Sequence, residues 1–118
     1  MEFTPASHED PHNPGCLKKI LYKKDDFQPG QLQMINWSIL PVGKAFANHY
    51  HEDLEEIFII MTGVAEVTVN GETAELCAGD AVLIPVGAPH IMKNIGSEDV
   101  FYIAQGISGG KGGKTVNL

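Results

Sequence analysis

The sequence predicts an all-β protein, an antiparallel sandwich or barrel, on three observations. Short runs rich in β-branched and aromatic residues recur at close spacing from residue 17 to residue 104. Glycine, proline and Asn-Gly signals separate those runs. No stretch repeats its apolar residues with the 3.6-residue period of a helix.

Residues 17–22 predict a first strand, closed by the polar residues 23–26 and by Pro29-Gly30. Residues 32–40, with Met34, Ile35, Trp37 and Ile39, predict a second that stops at Pro41-Val42-Gly43. Residues 56–61 are an apolar run bounded by Thr62-Gly63. In 64–69, Val64, Glu66 and Thr68 take one face and Ala65, Val67 and Val69 the other, the alternation of a strand. Asn70-Gly71 is the strongest two-residue hairpin signal available, and residues 73–76 return from it. Residues 81–84, 90–94 and 100–104 complete a set of at least eight short strands, a number that suits a double-sheet or closed architecture. Around this core lie a leader (1–30), whose strand is suited to a dimer edge, and a flexible Gly-rich tail (108–118). Gly113-Lys114-Thr115 imitates the end of a phosphate loop, but Ser108 stands where the first glycine is required. His8, His12 and Cys16 have even spacing, but Pro11 and Pro14 oppose the helix that would align them on a metal.

A chain of 118 residues, 43% hydrophobic, suits one globular domain with one core. A net charge of −7 with eight Lys and Arg gives no electrostatic grip on nucleic acid or an anionic membrane. No apolar run approaches the roughly 20 residues of a membrane-spanning helix. The N-terminus lacks the basic and apolar regions of a signal peptide, so a cytoplasmic protein is expected. Cys16 and Cys77 form no C-x-x-C pair and are expected to be free thiols.

The histidines carry the chemistry. His49 and His51 are two apart, so on a strand both imidazoles point to one face. Glu56 lies at an odd offset, which a turn or bulge over 52–55 corrects, letting it begin the next strand on the same wall. His90 arrives on a separate strand, straight after Pro85-Val86-Gly87-Ala88-Pro89, whose prolines fix the backbone feeding it in. Singly, each histidine suits a half-buried residue paired with a carboxylate. Together, three imidazoles and a carboxylate suit one divalent first-row metal: Fe, Mn, Ni, Co or Zn. An octahedral ion would keep two positions for substrate or oxygen, whereas zinc can be saturated by four protein ligands.

These residues resemble the two motifs of the cupin family. The first reads Gly, five residues, His-x-His, three or four residues, Glu, six residues, Gly. Gly43, His49, His51, Glu56 and Gly63 match it, and the spacing to Gly63 selects Glu56 over Glu55. The second reads Gly, five residues, Pro-x-Gly, two residues, His, three residues, Asn, and Gly79, Pro85, Gly87, His90 and Asn94 match every position. The resemblance implies a double-stranded β-helix (jelly-roll) barrel over residues 31–107, with His49, His51, Glu56 and His90 as metal ligands. It selects no substrate, because one fold hosts many functions.

Alternation inward from Glu56 gives Phe58 and Ile60, and from His90 gives Met92, with Asn94 beyond it. The pocket wall is therefore expected to be mostly apolar. Met34, Asn36 and Ser38 share one face of their strand and Ile35, Trp37 and Ile39 the other, without a sign of which turns inward. The facings of Glu55, Tyr50 and Tyr102 are equally open. Such a site suits a dioxygenase-like or isomerase-like metalloenzyme with a small organic molecule in the barrel. The alternative is a binding or structural barrel without turnover. The resemblance also implies a homodimer paired through sheet edges.

Overall fold

The computed structural model describes residues 8–9, 17–26, 30–109 and 114–118, and these are nearly all strand. The strands are β1 (His8–Glu9), β2 (Leu17–Lys23), β3 (Leu32–Leu40), β4 (His49–His51), β5 (Leu54–Thr62), β6 (Val64–Val69), β7 (Glu72–Cys77), β8 (Ala81–Ile84), β9 (His90–Asn94), β10 (Val100–Ser108) and β11 (Thr115–Asn117). Among the described residues they make two antiparallel sheets, ordered β1-β2-β3-β10-β5-β8 and β11-β4-β9-β6-β7. Neighbours are often far apart in sequence: β10 lies between β3 and β5, and β9 between β4 and β6. This is the crossed connectivity of a jelly-roll barrel.

Period-2 alternation places the core. On β5, Leu54, Glu56, Phe58 and Ile60 are buried while Glu55, Ile57 and Ile59 face outward and are half-buried. On β9, His90, Met92 and Asn94 are buried. Register then orders the inward residues along the barrel. Leu40 pairs with Val100, Ser38 with Tyr102 and Asn36 with Ala104, while Tyr102 pairs with Ile60 and Gly106 with Glu56. The Leu40–Val100 end is packed solid, with Ile60, Met92 and Val100 at 0% exposure. The Glu56 end holds the site.

Two turns depend on glycine. Asn70 and Gly71 both have positive φ (50° and 80°), as the two-residue hairpin predicted between β6 and β7 requires. Gly63, between β5 and β6, has a φ of 83°, and a Cβ there would lie 2.8 Å from the Asp99 carbonyl and 2.9 Å from Val100 Cγ2. Left-handed strain and a backbone collision act together, so Gly63→Ala is expected to destabilise the protein by at least about 2 kcal/mol, read by urea unfolding. A loss below about 0.5 kcal/mol would show that the turn relaxes freely.

The chain departs from the expected outline at its ends. The predicted tail is partly strand: β10 runs to Ser108, and Thr115–Asn117 pairs with β4. Gly106 fits inside β10 because its missing side chain leaves room for Leu54 and Met34, each 3.0 Å from where a Cβ would sit. Three residues behind a glycine run are too short to read as a strand, but bonds from Glu52 N–H to Lys114 O (2.9 Å) and Leu118 N–H to Asn48 O (3.0 Å) hold them. At the other end, β2 pairs with β3 inside the chain and β1 takes the sheet edge. Cys77 is a free, exposed thiol; Cys16, His12 and residues 110–113 lie outside the described residues. No helix among the described residues is long and apolar enough to cross a membrane.

Candidate metal centre

The site begins with a strand of three residues. β4 meets β9 at one register pair, His49 with His90, and gains the rest of its backbone partners from β11. Its alternation turns His49 and His51 into the barrel and pairs Tyr50 with Val116. The turn after it is shorter than the 52–55 expected. Glu52 and Asp53 suffice, with Asp53 accepting from Ser108 Oγ (2.9 Å) and Gly109 N–H (3.2 Å). β5 therefore starts at Leu54, which sends Glu55 to the outer face and Glu56 inward, as the motif spacing selected.

The donor atoms of His49, His51, Glu56 and His90 all lie within 4.8 Å of one another. Each imidazole is fixed through its far nitrogen. His49 Nδ1 lies 2.6 Å from Ala47 O, His90 Nδ1 2.9 Å from Ala88 O, and His51 Nδ1 3.0 Å from Thr115 Oγ1. A carbonyl oxygen only accepts, so Nδ1 of His49 and His90 carries the proton, and Nε2 of each neutral ring is a bare lone pair. His51 Nε2 and His90 Nε2 stand 2.5 Å and 3.4 Å from Glu56 Oε1. All three atoms are nevertheless buried without an aligned hydrogen bond. Converging polar atoms of this kind are costly alone, about 1–3 kcal/mol for each unsatisfied group. A cation among them removes that cost, and the donor set fits a divalent metal.

Electrostatics agrees. Burial pushes the Glu56 carboxyl up, but the contacts with His51 and His90 outweigh it and hold the group at about 2. Burial lowers His49 below its ordinary 6.5, helped by the neighbouring His90 and His51 and opposed by the Ala47 carbonyl and Glu56. The His49 direction favours a neutral imidazole, and the Glu56 direction favours a carboxylate, whose stabilising contacts with His51 and His90 a bound cation would replace.

Above the cluster opens a cavity of about 530 Å³. Phe58 lines it, but Ile60 and Met92 do not. Both lie on the predicted inward face yet deeper, in the packed end, because alternation sets facing and not depth. Asn94 is likewise no wall residue. Its amide donates to Leu40 O (2.9 Å) and Glu98 O (2.8 Å) and accepts from Gly96 N–H (2.9 Å), clamping the loop before β10. Tyr102 lines the cavity edge-on to Phe58 (5.4 Å), whereas Trp37 stacks on Phe101 (5.9 Å) on the outer face. Phe46 escaped the sequence reading. It is buried in the β3–β4 loop, 5.4 Å from His49 and 6.1 Å from His90, and its only signal was a lone aromatic among small and polar residues. Thr115, also missed, partners His51. Thr115→Val removes that hydrogen bond while keeping shape, and metal affinity is expected to fall roughly 10- to 100-fold, measured by competition with a chelator. Unchanged affinity would mean that the strand alone holds the ring.

The family model for the cupin domain matches residues 36–105. An uncharacterised protein of Methanocaldococcus jannaschii is 37% identical over 68 residues, 58% of this chain and 54% of that protein, so the chain spans about half of its length. The quercetin 2,3-dioxygenase of Bacillus subtilis is 42% identical over 48 residues, 41% of this chain and 14% of the enzyme. Among solved structures, a predicted oxalate decarboxylase from Thermotoga maritima matches with a TM-score of 0.75 at 25% identity, covering 91% of this chain and 94% of that one. A match across more than half of the chain, on the strands that carry both histidine motifs, shows that it belongs to the cupin family.

Proposed function

We propose that this cupin is a metal-dependent enzyme acting on a small organic molecule, with His49, His51, Glu56 and His90 holding one divalent Fe, Mn, Ni, Co or Zn ion. One observation carries the reading: among the described residues, His51 Nε2, His90 Nε2 and Glu56 Oε1 converge, buried and without an aligned hydrogen bond, beneath a cavity of about 530 Å³. That volume is the size of a small-molecule site. When bound, the metal supplies a Lewis acid or an oxygen-activating centre. The chain's own share is to fix the tautomers of His49 and His90 through the Ala47 and Ala88 carbonyls, to hold the His51 ring through Thr115 and to keep Glu56 ionised. Phe46 and Phe58, packed edge to face, keep water from the donors' flank and present an apolar wall to the substrate. A dioxygenase-like or isomerase-like reaction suits that wall, and the likeness to a quercetin dioxygenase supports the first.

Elemental analysis of protein purified without chelators or affinity-column nickel tests the metal, and oxygen uptake with small enols and aromatics tests turnover. Near-stoichiometric iron, manganese, nickel or cobalt with uptake upholds the enzyme. Stoichiometric zinc without turnover, or no metal, favours the non-catalytic binding barrel.

A second copy of the chain is the proposed partner. The outer face of the six-stranded sheet carries Ile35, Trp37, Ile39, Ile57, Phe101 and Ile103, a half-buried apolar surface on its central strands. Packing this face, together with its β1–β2 edge, against a second copy removes it from water. Light scattering at micromolar concentration should return twice the 12.8 kDa chain mass; a monomer overturns the pairing.

A further inference from the structure

On the same sheet as Glu56, beyond β10, β3 and β2 build a polar wall that the metal reading leaves without a task. Lys18 and Lys23 line it from β2, and Asn36 and Ser38 from β3. Strict alternation from Lys18 and Ile20 would turn Tyr22 inward and Lys23 outward. The register shifts between Ile20 and Tyr22, so that Ile20 pairs with Asn36, Tyr22 with Ile35 and Lys23 with Met34. That irregularity moves Lys23 to the cavity side, the use a β-bulge commonly has beside a site.

Two further observations concern a ligand. Asn36 is 7% exposed, lines the cavity, and its Oδ1 has no hydrogen-bond partner among the described residues. Its neighbour on β10 is Ala104, whose small side chain leaves the space before it open. A buried amide oxygen without a partner is rare and calls for a group to satisfy it. The charge is equally uneven. The chain has a net charge of −7 and eight basic residues, all lysine, yet two of them line this cavity against one carboxylate, Glu56. Among the described residues, neither lysine has an ion-pair partner.

We propose that this wall is the recognition subsite for the anionic head of a small organic acid. Lys18 and Lys23 neutralise the head, and Asn36 takes a hydrogen bond from a hydroxyl or protonated oxygen beside it. Lys23, Met34, Gly106 and Glu56 stand in one row across four strands. Three strand spacings separate the ends of that row, about 14 Å along the sheet. The ligand assigned to it has two oxygen-bearing ends: an anion reached by the long side chains of Lys18 and Lys23 from four register positions apart on β3, and an oxygen donor at the His/Glu cluster. The far end alone rests on the metal reading. The short apolar body between them packs on Phe58 and Ile20.

The test is isothermal titration calorimetry on the protein as purified, with metal content measured on the same samples. The probes are glutarate, its neutral isostere glutaramide, and butyl phosphate. At least one of the two anions should bind roughly tenfold or more tightly than glutaramide, with affinity falling as salt rises. The partly exposed pair K18Q/K23Q should lose roughly tenfold of that affinity and keep its metal. Asn36→Asp, equal in shape, should weaken the anion similarly, because it sets a carboxylate against the head. Tighter binding of butyl phosphate makes the head a phosphate, and tighter binding of glutarate a carboxylate. Equal affinity for glutarate and glutaramide with no phosphate binding, unchanged affinity in K18Q/K23Q, or no anion binding at millimolar concentration overturns the subsite. A metal-free protein that still discriminates charge upholds the subsite and defeats the metal reading; a metal-loaded protein that does not discriminate does the reverse.

Discussion

His51→Ala should leave the purified protein nearly free of metal, a larger loss than the roughly 10- to 100-fold expected from removing an outer partner of a ligand. The reason is its place at the meeting of three strands. His51 lies on β4, hydrogen-bonds Thr115 on β11, and brings Nε2 within 2.5 Å of the carboxylate of β5. Its removal takes away one donor and also frees Glu56 to turn. The competing explanation is that Glu56 and the histidines are only a buried ion pair. Breaking such a pair by removing one partner costs about 3–5 kcal/mol, with or without metal in the buffer. The two readings therefore separate in one experiment, thermal unfolding of wild type and variant with metal added or chelated. If the cluster binds metal, added metal stabilises wild type and does nothing for His51→Ala. Full retention of metal by the variant sinks the ligand assignment. Glu56→Gln should behave like His51→Ala, while Glu55→Gln, on the outer face of β5, should keep its metal.

The ligand quartet was legible because it is written in spacings that the fold obeys locally. A two-residue interval fixes a shared face on any strand, and Pro85 and Gly87 fix the turn that delivers His90. Strand positions were legible for the same reason, down to the Asn70-Gly71 hairpin. Depth was not. Ile60 and Met92 have the correct facing, but how far a cavity penetrates depends on which side chains fill the layer above, here Phe46 and Phe58. Phe46 sits in a loop, where no periodicity assigns a side. Lys23 was hidden by the bulge after Ile20, since an inserted residue inverts every facing that follows it. β11 was hidden because its stability is not its own. Thr115–Asn117 is a strand only because β4, itself three residues long, offers an unpaired edge.

Chelation of the metal should lower Tm by roughly 10–15 °C where free metal stood a thousandfold above its dissociation constant, a linkage worth about 4 kcal/mol in a chain of this size. The metal adds to a short strand that β11 holds along one edge. One register pair ties it to β9, and its two inward side chains are donors and not apolar packing. The pH dependence follows from the same groups. Burial depresses His49 below 6.5, so the folded metal-free protein resists the proton that the unfolded chain accepts; stability falls as pH drops below 6.5. Protonation of His49 also competes with the metal, so the difference in Tm between loaded and chelated protein should shrink over the same window. Glu56 acts later and separately. Its carboxyl is held at about 2 against an ordinary 4.5, so its contribution, about 3 kcal/mol, is whole above pH 4.5 and disappears towards pH 2. Thermal unfolding from pH 7.5 to 3, with and without chelator, should show two curves converging below pH 6.5 and then falling together below 4.5. Curves still separated at pH 4 would mean that the histidines do not hold the ion.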